Sequence, residues 1–187
     1  DRRDIHHDLN ANLYAIVKLP FGFEYQMNFT PRYHWYEYMN HESAEHPEWA
    51  GDGGRSERKN EKTFNWQVDN ILRWKKEFGE DHRVEATFLQ NAEKGQWWKT
   101  VAQNKLYSPS DILGFHNIGA GTAPSVSSED TYKTGDASMG RLFYSFKDKY
   151  MLTASVRRDG YSAFGSMNPH AVFPAVALGW VFTSEKF

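Results

Sequence analysis

Residues 9–19, LNANLYAIVKL, decide the fold class of this chain. Every odd-numbered position is apolar, whereas the even-numbered positions are mostly polar and carry Asn10, Asn12, Tyr14, Ile16 and Lys18. Because successive side chains of a β-strand point to opposite faces, this alternation predicts a strand with one apolar face. After a short turn at residues 20–22, the alternation continues with Phe23, Tyr25, Met27, Phe29, Tyr33 and Trp35 on one face. Pro31 falls inside this second run, which predicts a sheet edge or a β-bulge there.

The same two-residue period recurs along the rest of the chain. Seven segments carry it, and they cover residues 9–19, 23–35, 64–75, 84–88, 142–146, 150–157 and 172–182. A helix is the alternative for residues 69–78, but the phase of Trp66 and Trp74 favours a strand. The connections alternate between short turns (20–22, 79–81, 147–149) and long segments (41–61, 97–138, 158–170).

This alternation of short and long connections predicts a β-barrel in an outer membrane, with short periplasmic turns and long extracellular loops. A strand of about 10 residues rises roughly 33 Å, and a tilt near 45° leaves about 24 Å across the membrane. Aromatic residues cluster near both predicted strand ends, as the two interfacial girdles of a barrel require. They are Tyr33, Trp35, Tyr36 and Tyr38 at the long-loop end, and Phe21, Phe23, Trp74, Phe78, Phe146 and Tyr150 at the short-turn end.

The composition of the 187 residues agrees with strands that have one apolar face. Aromatic residues make up 16% of a chain that is only 40% hydrophobic. A net charge of -2 is too balanced for nucleic-acid binding by counterion release. The absence of Cys excludes a disulfide scaffold and a zinc site built on thiolates. No run approaches the roughly 18 apolar residues of a transmembrane helix.

Seven strands do not make a complete barrel, because single-chain bacterial barrels have even numbers of at least about eight strands and tolerate no open edge in lipid. We therefore expect residues 1–187 to form one partial all-β domain, an antiparallel transmembrane β-barrel segment of about seven strands of a larger barrel. The alternative is a soluble or surface β-sandwich, which also alternates. Sandwich strands average about 5–6 residues, and several segments here are about twice as long.

The last third of the chain resembles a known family. Residues 149–160 (KYMLTASVRRDG), Phe164-Gly165 and residues 173–180 (FPAVALGW) look like the barrel signature of SusC/RagA-type TonB-linked outer-membrane receptors. Upstream, residues 117–121 (NIGAG) and 140–146 (GRLFYSF) fit the same family, and Phe64-Asn65-Trp66 fits it more loosely. The resemblance extends from about residue 60 to the last residue, whereas residues 1–60 match only in pattern.

The resemblance implies an outer-membrane transporter of a Gram-negative bacterium. Such receptors import large nutrients, often oligosaccharides or peptides, with energy from the TonB complex and with a SusD-like surface lipoprotein as partner. The plug domain, the TonB box and the remaining strands of the family have no counterpart in these residues. Contact with TonB is therefore expected through a plug region outside them. Outer-membrane lipid is the other expected partner, and no cofactor and no covalent chemistry are implied.

Exposed aromatic rings are the candidate substrate contacts. Five of them fall in or beside the predicted long segments, namely Trp49, Trp97, Trp98, Tyr107 and Tyr161. Such rings can stack on sugars, but they also serve as girdle anchors or as packing residues of loops. In the alternative β-sandwich module, Trp49, Trp97 and Trp98 would hold a glycan.

No metal site and no catalytic site are predicted. Residues 41–46 (HESAEH) resemble a zinc motif, but the second His is one residue too far for either arrangement of the zincins. We interpret them as a solvated loop. No Ser/His/Asp set at a plausible spacing is visible, so an outer-membrane lipase or protease barrel has no support and the chain is predicted not to be an enzyme.

Overall fold

The computed structural model describes residues 1–108, 110–165 and 169–185. Eight strands form one antiparallel sheet, and short 3-10 helices lie in the connections. The strands are β1 (Arg2–Asn10), β2 (Leu13–Lys18), β3 (Phe23–Glu42), β4 (Arg55–Phe78), β5 (His82–Lys105), β6 (Ser125–Phe146), β7 (Tyr150–Tyr161) and β8 (His170–Trp180). Their order in the sheet is β1-β3-β4-β5-β6-β7-β8, and β2 also pairs with β3. The predicted all-β antiparallel fold is confirmed.

The first predicted strand is interrupted, and Pro31 explains why. β1 and β2 pair with β3 in one continuous register, from Asn10 opposite Arg32 to Leu13 opposite Phe29. Between them, the Ala11 N–H donates to the Pro31 carbonyl oxygen at 3.1 Å. Pro31 has no N–H, so it cannot donate the reciprocal hydrogen bond to the Ala11 carbonyl oxygen. The hydrogen-bonded pairing is therefore interrupted at residues 11–12 without a change of register. The predicted edge or bulge is wrong, because β3 is an interior strand with unshifted pairing.

Four strands are much longer than the sequence pattern predicts. β3, β4, β5 and β6 contain 20, 24, 24 and 22 residues. The long connections shrink accordingly to residues 43–54 and 106–124, and the predicted helix alternative at 69–78 lies within β4. The first ten residues of β6 are exposed on both faces. These residues are paired through their backbones only, and neither face of the strand is buried. Their sequence therefore has no alternation of apolar and polar residues, and it predicted a loop instead of a strand.

The strands divide into two compact units. The first unit, which we call the loop unit, comprises Asp1–Asn10, Arg32–Asn65 and Gly95–Tyr132. The second, which we call the sheet unit, comprises Ala11–Pro31, Trp66–Lys94 and Lys133–Phe187. β3, β4, β5 and β6 contribute residues to both units.

Very little of the chain is buried. Within the described residues, the only buried hydrophobic side chains are Met39, Phe115 and Ala137. A β-sandwich buries the facing sides of two sheets, so the single sheet seen here does not fit that alternative. None of the helices in the described part of the chain is long and apolar enough to cross a membrane.

Candidate functional site

One face of the sheet unit is a continuous apolar surface. On β7 and β8, Leu152 lies opposite Leu178 and Ala154 lies opposite Val176. The side chain of Leu178 is 83% exposed and that of Val176 is 73% exposed. The same surface contains a shallow groove of about 550 Å³ with mostly apolar walls. Soluble monomers rarely expose an apolar patch of this extent, so this face requires an apolar environment.

The opposite face of the sheet unit is polar. Arg73 donates hydrogen bonds to Glu24 at 3.1 Å and to Gln26 at 2.7 Å. Asn91 donates to Asp69 at 2.6 Å. One apolar and one polar face along the same strands are what the wall of a membrane barrel needs.

A row of polar aromatic side chains lies on the loop unit. Tyr36 donates a hydrogen bond from its hydroxyl to Asp4 at 2.7 Å, and its ring stacks on His6 at 4.6 Å. His34 lies 5.5 Å from His6 and shares a 2.7 Å hydrogen bond with Asp8. We call these residues, together with Tyr38 and Lys59, the tyrosine–histidine row. Tyr36 and Tyr38 were predicted to belong to an interfacial girdle, but their even numbers place them on the face of β3 opposite Tyr33 and Trp35.

Charged groups flank the rings of this row. The Lys59 ammonium lies 4.9 Å from the centre of the Tyr36 ring and 5.3 Å from that of Tyr38. Arg2 also donates a hydrogen bond to Asp4 at 2.8 Å. Asp4 therefore acts as an acceptor and Tyr36 as a donor, and the rings offer stacking surfaces beside them.

The loop unit also contains a partly buried polar network around Ser56, which we call the loop lock. His41 Nδ1 and Ser56 Oγ share a hydrogen bond at 2.9 Å, and His41 Nε2 lies 3.5 Å from Asp111 Oδ2. The Ala44 N–H donates to Asp111 at 2.8 Å, and this bond holds the pKa of Asp111 below its ordinary value. The network connects the end of β3, the start of β4 and the 106–124 connection. Its members are far apart in the sequence, so no local pattern predicts it.

Two glycines leave the space that the loop lock occupies. A Cβ at Gly114 would lie 2.8 Å from Cγ of His41, and one at Gly54 would lie 2.9 Å from Oδ2 of Asp111. Both residues have positive φ angles, of 48° and 80°. Side chains are therefore excluded at both positions by backbone conformation and by contact.

Ser56, His41 and Asp111 of the loop lock have the residue types of a nucleophilic triad, although no such set is visible in the sequence. A nucleophile must be reached by its substrate, yet Ser56 is 0% exposed. The geometry therefore supports a structural role for the trio. Among residues 1–108, 110–165 and 169–185, no group of three or more Cys, His, Asp and Glu side chains is arranged to hold a metal ion.

The structure spreads the predicted contact residues over several elements. Trp49 lies in the 43–54 connection, half-buried, with the Arg55 guanidinium 5.5 Å from its ring centre. Tyr107 lies in the 106–124 connection, where its ring meets His41 edge-on at 6.3 Å. Tyr161 is the last residue of β7 and meets Phe164 edge-on at 5.4 Å.

Trp97 and Trp98 lie within β5 and not in a loop, because β5 continues to Lys105. As neighbours in a strand, they point to opposite faces of the sheet. Trp98 lines a cleft of about 870 Å³ together with Tyr33, Trp35 and Phe64. The two rings cannot act on one ligand from the same side of the sheet.

Comparisons with known proteins identify the class of this sheet. No family model matches the chain. TonB-dependent receptor P26 of Formosa agariphila is 30% identical over 142 residues, which are 74% of this chain and 14% of that receptor. TonB-dependent receptor SusC of Bacteroides thetaiotaomicron is 44% identical over 48 residues, or 26% of this chain and 5% of SusC. The solved structure of the RagAB peptide transporter superposes with a TM-score of 0.88 at 18% identity, covering 99% of this chain and 21% of that chain.

The chain belongs to the SusC/RagA-type TonB-dependent receptors. The resemblance seen in its motifs is thereby confirmed, as is the prediction of a barrel segment. The chain spans 14% of the length of the P26 receptor that it matches. In a barrel of this class, the apolar face of the wall contacts lipid and the polar face lines the lumen. Glu24, Gln26, His34 and Tyr36 all have even numbers in β3, so strand alternation assigns them to the same face of that strand.

Proposed function

We propose that the chain forms part of the barrel wall of a Gram-negative outer-membrane transporter that imports large nutrients, oligosaccharide or peptide, with energy from TonB. The opposition of an apolar and a polar face along the same strands is the observation that carries this proposal. The relatives are named as receptors, and a structural neighbour is titled a peptide transporter, which supports transport over catalysis. The burial of Ser56 adds a physical argument against nucleophilic chemistry at the loop lock.

Two partners belong to this proposal. A SusD-like surface lipoprotein would cover the extracellular end of the barrel, in keeping with the SusC/RagA motifs of residues 149–180. The TonB complex would act through a plug region that the 187 residues do not contain. Outer-membrane lipid would cover the apolar face of the sheet unit.

The substrate contacts are also part of the proposal. Trp49, Trp97, Tyr107 and Tyr161 remain proposed contacts, and the tyrosine–histidine row adds a surface that combines ring faces with fixed donors and acceptors. Such a surface suits sugars and peptides alike. Trp98 points to the other face of β5, so we do not propose that it contacts the same ligand as Trp97.

Cell fractionation tests the proposal directly. An antibody against residues 41–61 should detect the protein in the outer-membrane fraction, with a requirement for detergent and a denatured mass well above that of 187 residues. Deletion of its gene and deletion of TonB should abolish growth on the same nutrient. A soluble band with the mass of this chain alone would contradict the proposal and revive the glycan-binding module.

A further inference from the structure

The polar face of the sheet unit contains a small pocket, which we call the amide pocket. It measures about 310 Å³. Its walls are carboxamide, hydroxyl and carboxylate side chains, namely those of Asn12, Tyr14, Gln26, Asn28, Thr30 and Asp69. Tyr14 of β2 lies directly opposite Asn28 of β3, and Asp69 belongs to β4. The volume is at the lower end of the range of about 300–1,000 Å³ that small-molecule sites occupy.

A chain of hydrogen bonds fixes the orientation of the amides in this pocket. Arg73 can only donate, so its bond of 2.7 Å turns the Gln26 oxygen toward the guanidinium. The Gln26 NH₂ group in turn donates to the Asn28 oxygen at 2.8 Å. The Asn12 oxygen accepts from the Thr30 hydroxyl at 3.5 Å. The NH₂ groups of Asn12 and Asn28 have no acceptor among the described residues, so the pocket offers both as donors.

The acceptor in the pocket is the Asp69 carboxylate. Gln67 donates to both of its oxygens at 3.1 Å, and Asn91 donates to Oδ1 at 2.6 Å. These donors are neutral amides, and the nearby Arg73 pairs with Glu24 at 3.1 Å. Because a carboxylate has about four lone-pair sites, Asp69 can accept a further hydrogen bond. It also gives the pocket a negative charge that is paired with no cation in the described part of the chain.

Two donors beside one acceptor favour a ligand whose groups both donate and accept. A hydroxyl does both, so adjacent hydroxyls of a sugar ring can donate to Asp69 and accept from Asn12 and Asn28. The Tyr14 side chain is 69% exposed and offers a ring face for stacking on the sugar. A sugar ring therefore matches the donors, the acceptor and the aromatic wall together.

Other classes of ligand match the pocket less well. A lysine or arginine side chain of a peptide only donates, so it would leave the NH₂ groups of Asn12 and Asn28 unused. A peptide main chain brings one donor and one acceptor per residue, whereas a sugar ring carries several hydroxyls side by side. A sulfated or carboxylated sugar would be repelled by the charge of Asp69.

We propose that the amide pocket binds a neutral oligosaccharide at the lumenal wall of the barrel. The Asp69 carboxylate accepts a hydrogen bond from one sugar hydroxyl, and the NH₂ groups of Asn12 and Asn28 donate to its neighbours. The inference rests on the proposed function, because the polar face lines the lumen only in a membrane barrel. It narrows the imported nutrient to an uncharged glycan.

The test uses the full-length receptor, purified in mild detergent. It is applied to an array of neutral, sulfated and uronic-acid oligosaccharides and to an array of peptides. The parent receptor should bind neutral oligosaccharides, and Asn28→Ala should weaken this binding about twofold to tenfold, the loss of one hydrogen bond. Asn70→Ala is the matched control, because Asn70 lies on the opposite face of β4 from Asp69. It should leave the binding unchanged.

Asp69→Asn tests the charge of the pocket at nearly constant size. It should weaken the binding of neutral oligosaccharides and raise the binding of sulfated ones relative to them, because the repulsion is removed. A merely structural defect would lower the binding of both classes together. Glu93→Gln removes a charge from the same face as Asn91 in β5, outside the pocket, and should leave the ratio unchanged.

Four outcomes would overturn the inference. They are binding of no oligosaccharide, preference for sulfated or uronic-acid oligosaccharides, preference for peptides, and equal binding of neutral oligosaccharides by the parent receptor and Asn28→Ala. A receptor that resides in the outer membrane and migrates as a folded barrel, yet gives one of these results, refutes the glycan site alone. A receptor absent from the outer membrane refutes the proposed function and this inference with it.

Discussion

The loop unit and the sheet unit differ in how their apolar side chains are shielded from water, although four strands contribute residues to both units. In the sheet unit, Val176 and Leu178 are 73% and 83% exposed, so their apolar area must be covered from outside the chain. In the loop unit, Phe115 is 2% exposed and Ser56 is 0% exposed, because the connections fold over the strands and bury them. The difference teaches that side chains of the sheet unit need cover from outside the chain, whereas the loop unit buries side chains with its own residues.

The largest effect is expected for a charge on the apolar face. Val176→Arg should lower the free energy of unfolding of the full-length receptor in lipid vesicles by about 2–4 kcal/mol, the cost of Arg near the bilayer midplane. Ala177→Arg, one residue along β8 on the opposite face, is the matched control and should cost far less. Denaturant titration followed by tryptophan fluorescence measures both. Equal losses in the two variants would show that β8 does not separate lipid from lumen.

A smaller effect is expected at the loop lock. Gly114→Ala places a Cβ 2.8 Å from Cγ of His41 and retains a positive φ of 48°. Strain of this kind should cost about 1–3 kcal/mol. Hydrogen exchange should then accelerate in residues 43–54 and 106–124 and remain unchanged in β7 and β8. Gly51→Ala is the control, because its Cβ would have open space around it. Faster exchange in the sheet unit would mean that the two units do not respond separately.

The two faces of β5 should differ in transport. Trp97→Ala should raise the nutrient concentration that supports half-maximal growth about twofold to tenfold, the loss of one stacked ring. Trp98→Ala should leave that concentration unchanged, because its ring points away from the lumenal face. Growth curves of the two strains at equal receptor abundance provide the measurement. A greater effect of Trp98→Ala would reverse our assignment of the faces.

The smallest effect concerns acidification of the loop lock. The pKa of Asp111 lies below its ordinary value of 3.8 in the folded chain, chiefly because of the Ala44 N–H. The carboxylate therefore contributes stability that is fully present above pH 3.8 and is lost as the pH falls through the folded pKa. Asp111→Asn should cost about 1 kcal/mol at neutral pH, the difference between a charged and a neutral acceptor.

Hydrogen exchange in residues 43–54, measured across this range, checks both parts of that expectation. Protection should fall on acidification in the parent receptor, and it should fall less steeply in Asp111→Asn. Parallel pH profiles in the two proteins would place the acid-sensitive group elsewhere.

Much of the fold could be predicted because it depends on neighbours in the chain. All seven alternating segments lie largely in strands, although the first is divided between β1 and β2 and the last ends beyond β8. The motifs of residues 149–180 identify the family correctly. The extent of the strands could not be predicted, since Ser125 to Thr134 are exposed on both faces and show no alternation. Likewise, the interruption between β1 and β2 depends on Pro31, which lies across the sheet from Ala11.

The candidate sites were less predictable than the fold. The aromatic residue types pointed to ligand contact. Because Trp97 and Trp98 were predicted to lie in a loop, the sequence pattern did not indicate that their side chains point to opposite faces of a strand. The tyrosine–histidine row could have been found from the even numbers of His34, Tyr36 and Tyr38. The cleft could not, because the approach of Lys62 to Trp35 depends on which strand lies beside which.

Alternation along a strand is local, since backbone geometry sends each side chain to the face opposite its neighbour. The sequence by itself therefore determined the strands, their apolar and polar faces and the receptor family. Only the tertiary structure brought Asp111 to Ala44 across 67 positions and His41 to Ser56 across 15. Contacts of this kind depend on the register of paired strands and on the path of the connections between them. The apolar face of the sheet could thus be predicted from the sequence, whereas the loop lock and the cleft could be identified only in the tertiary structure.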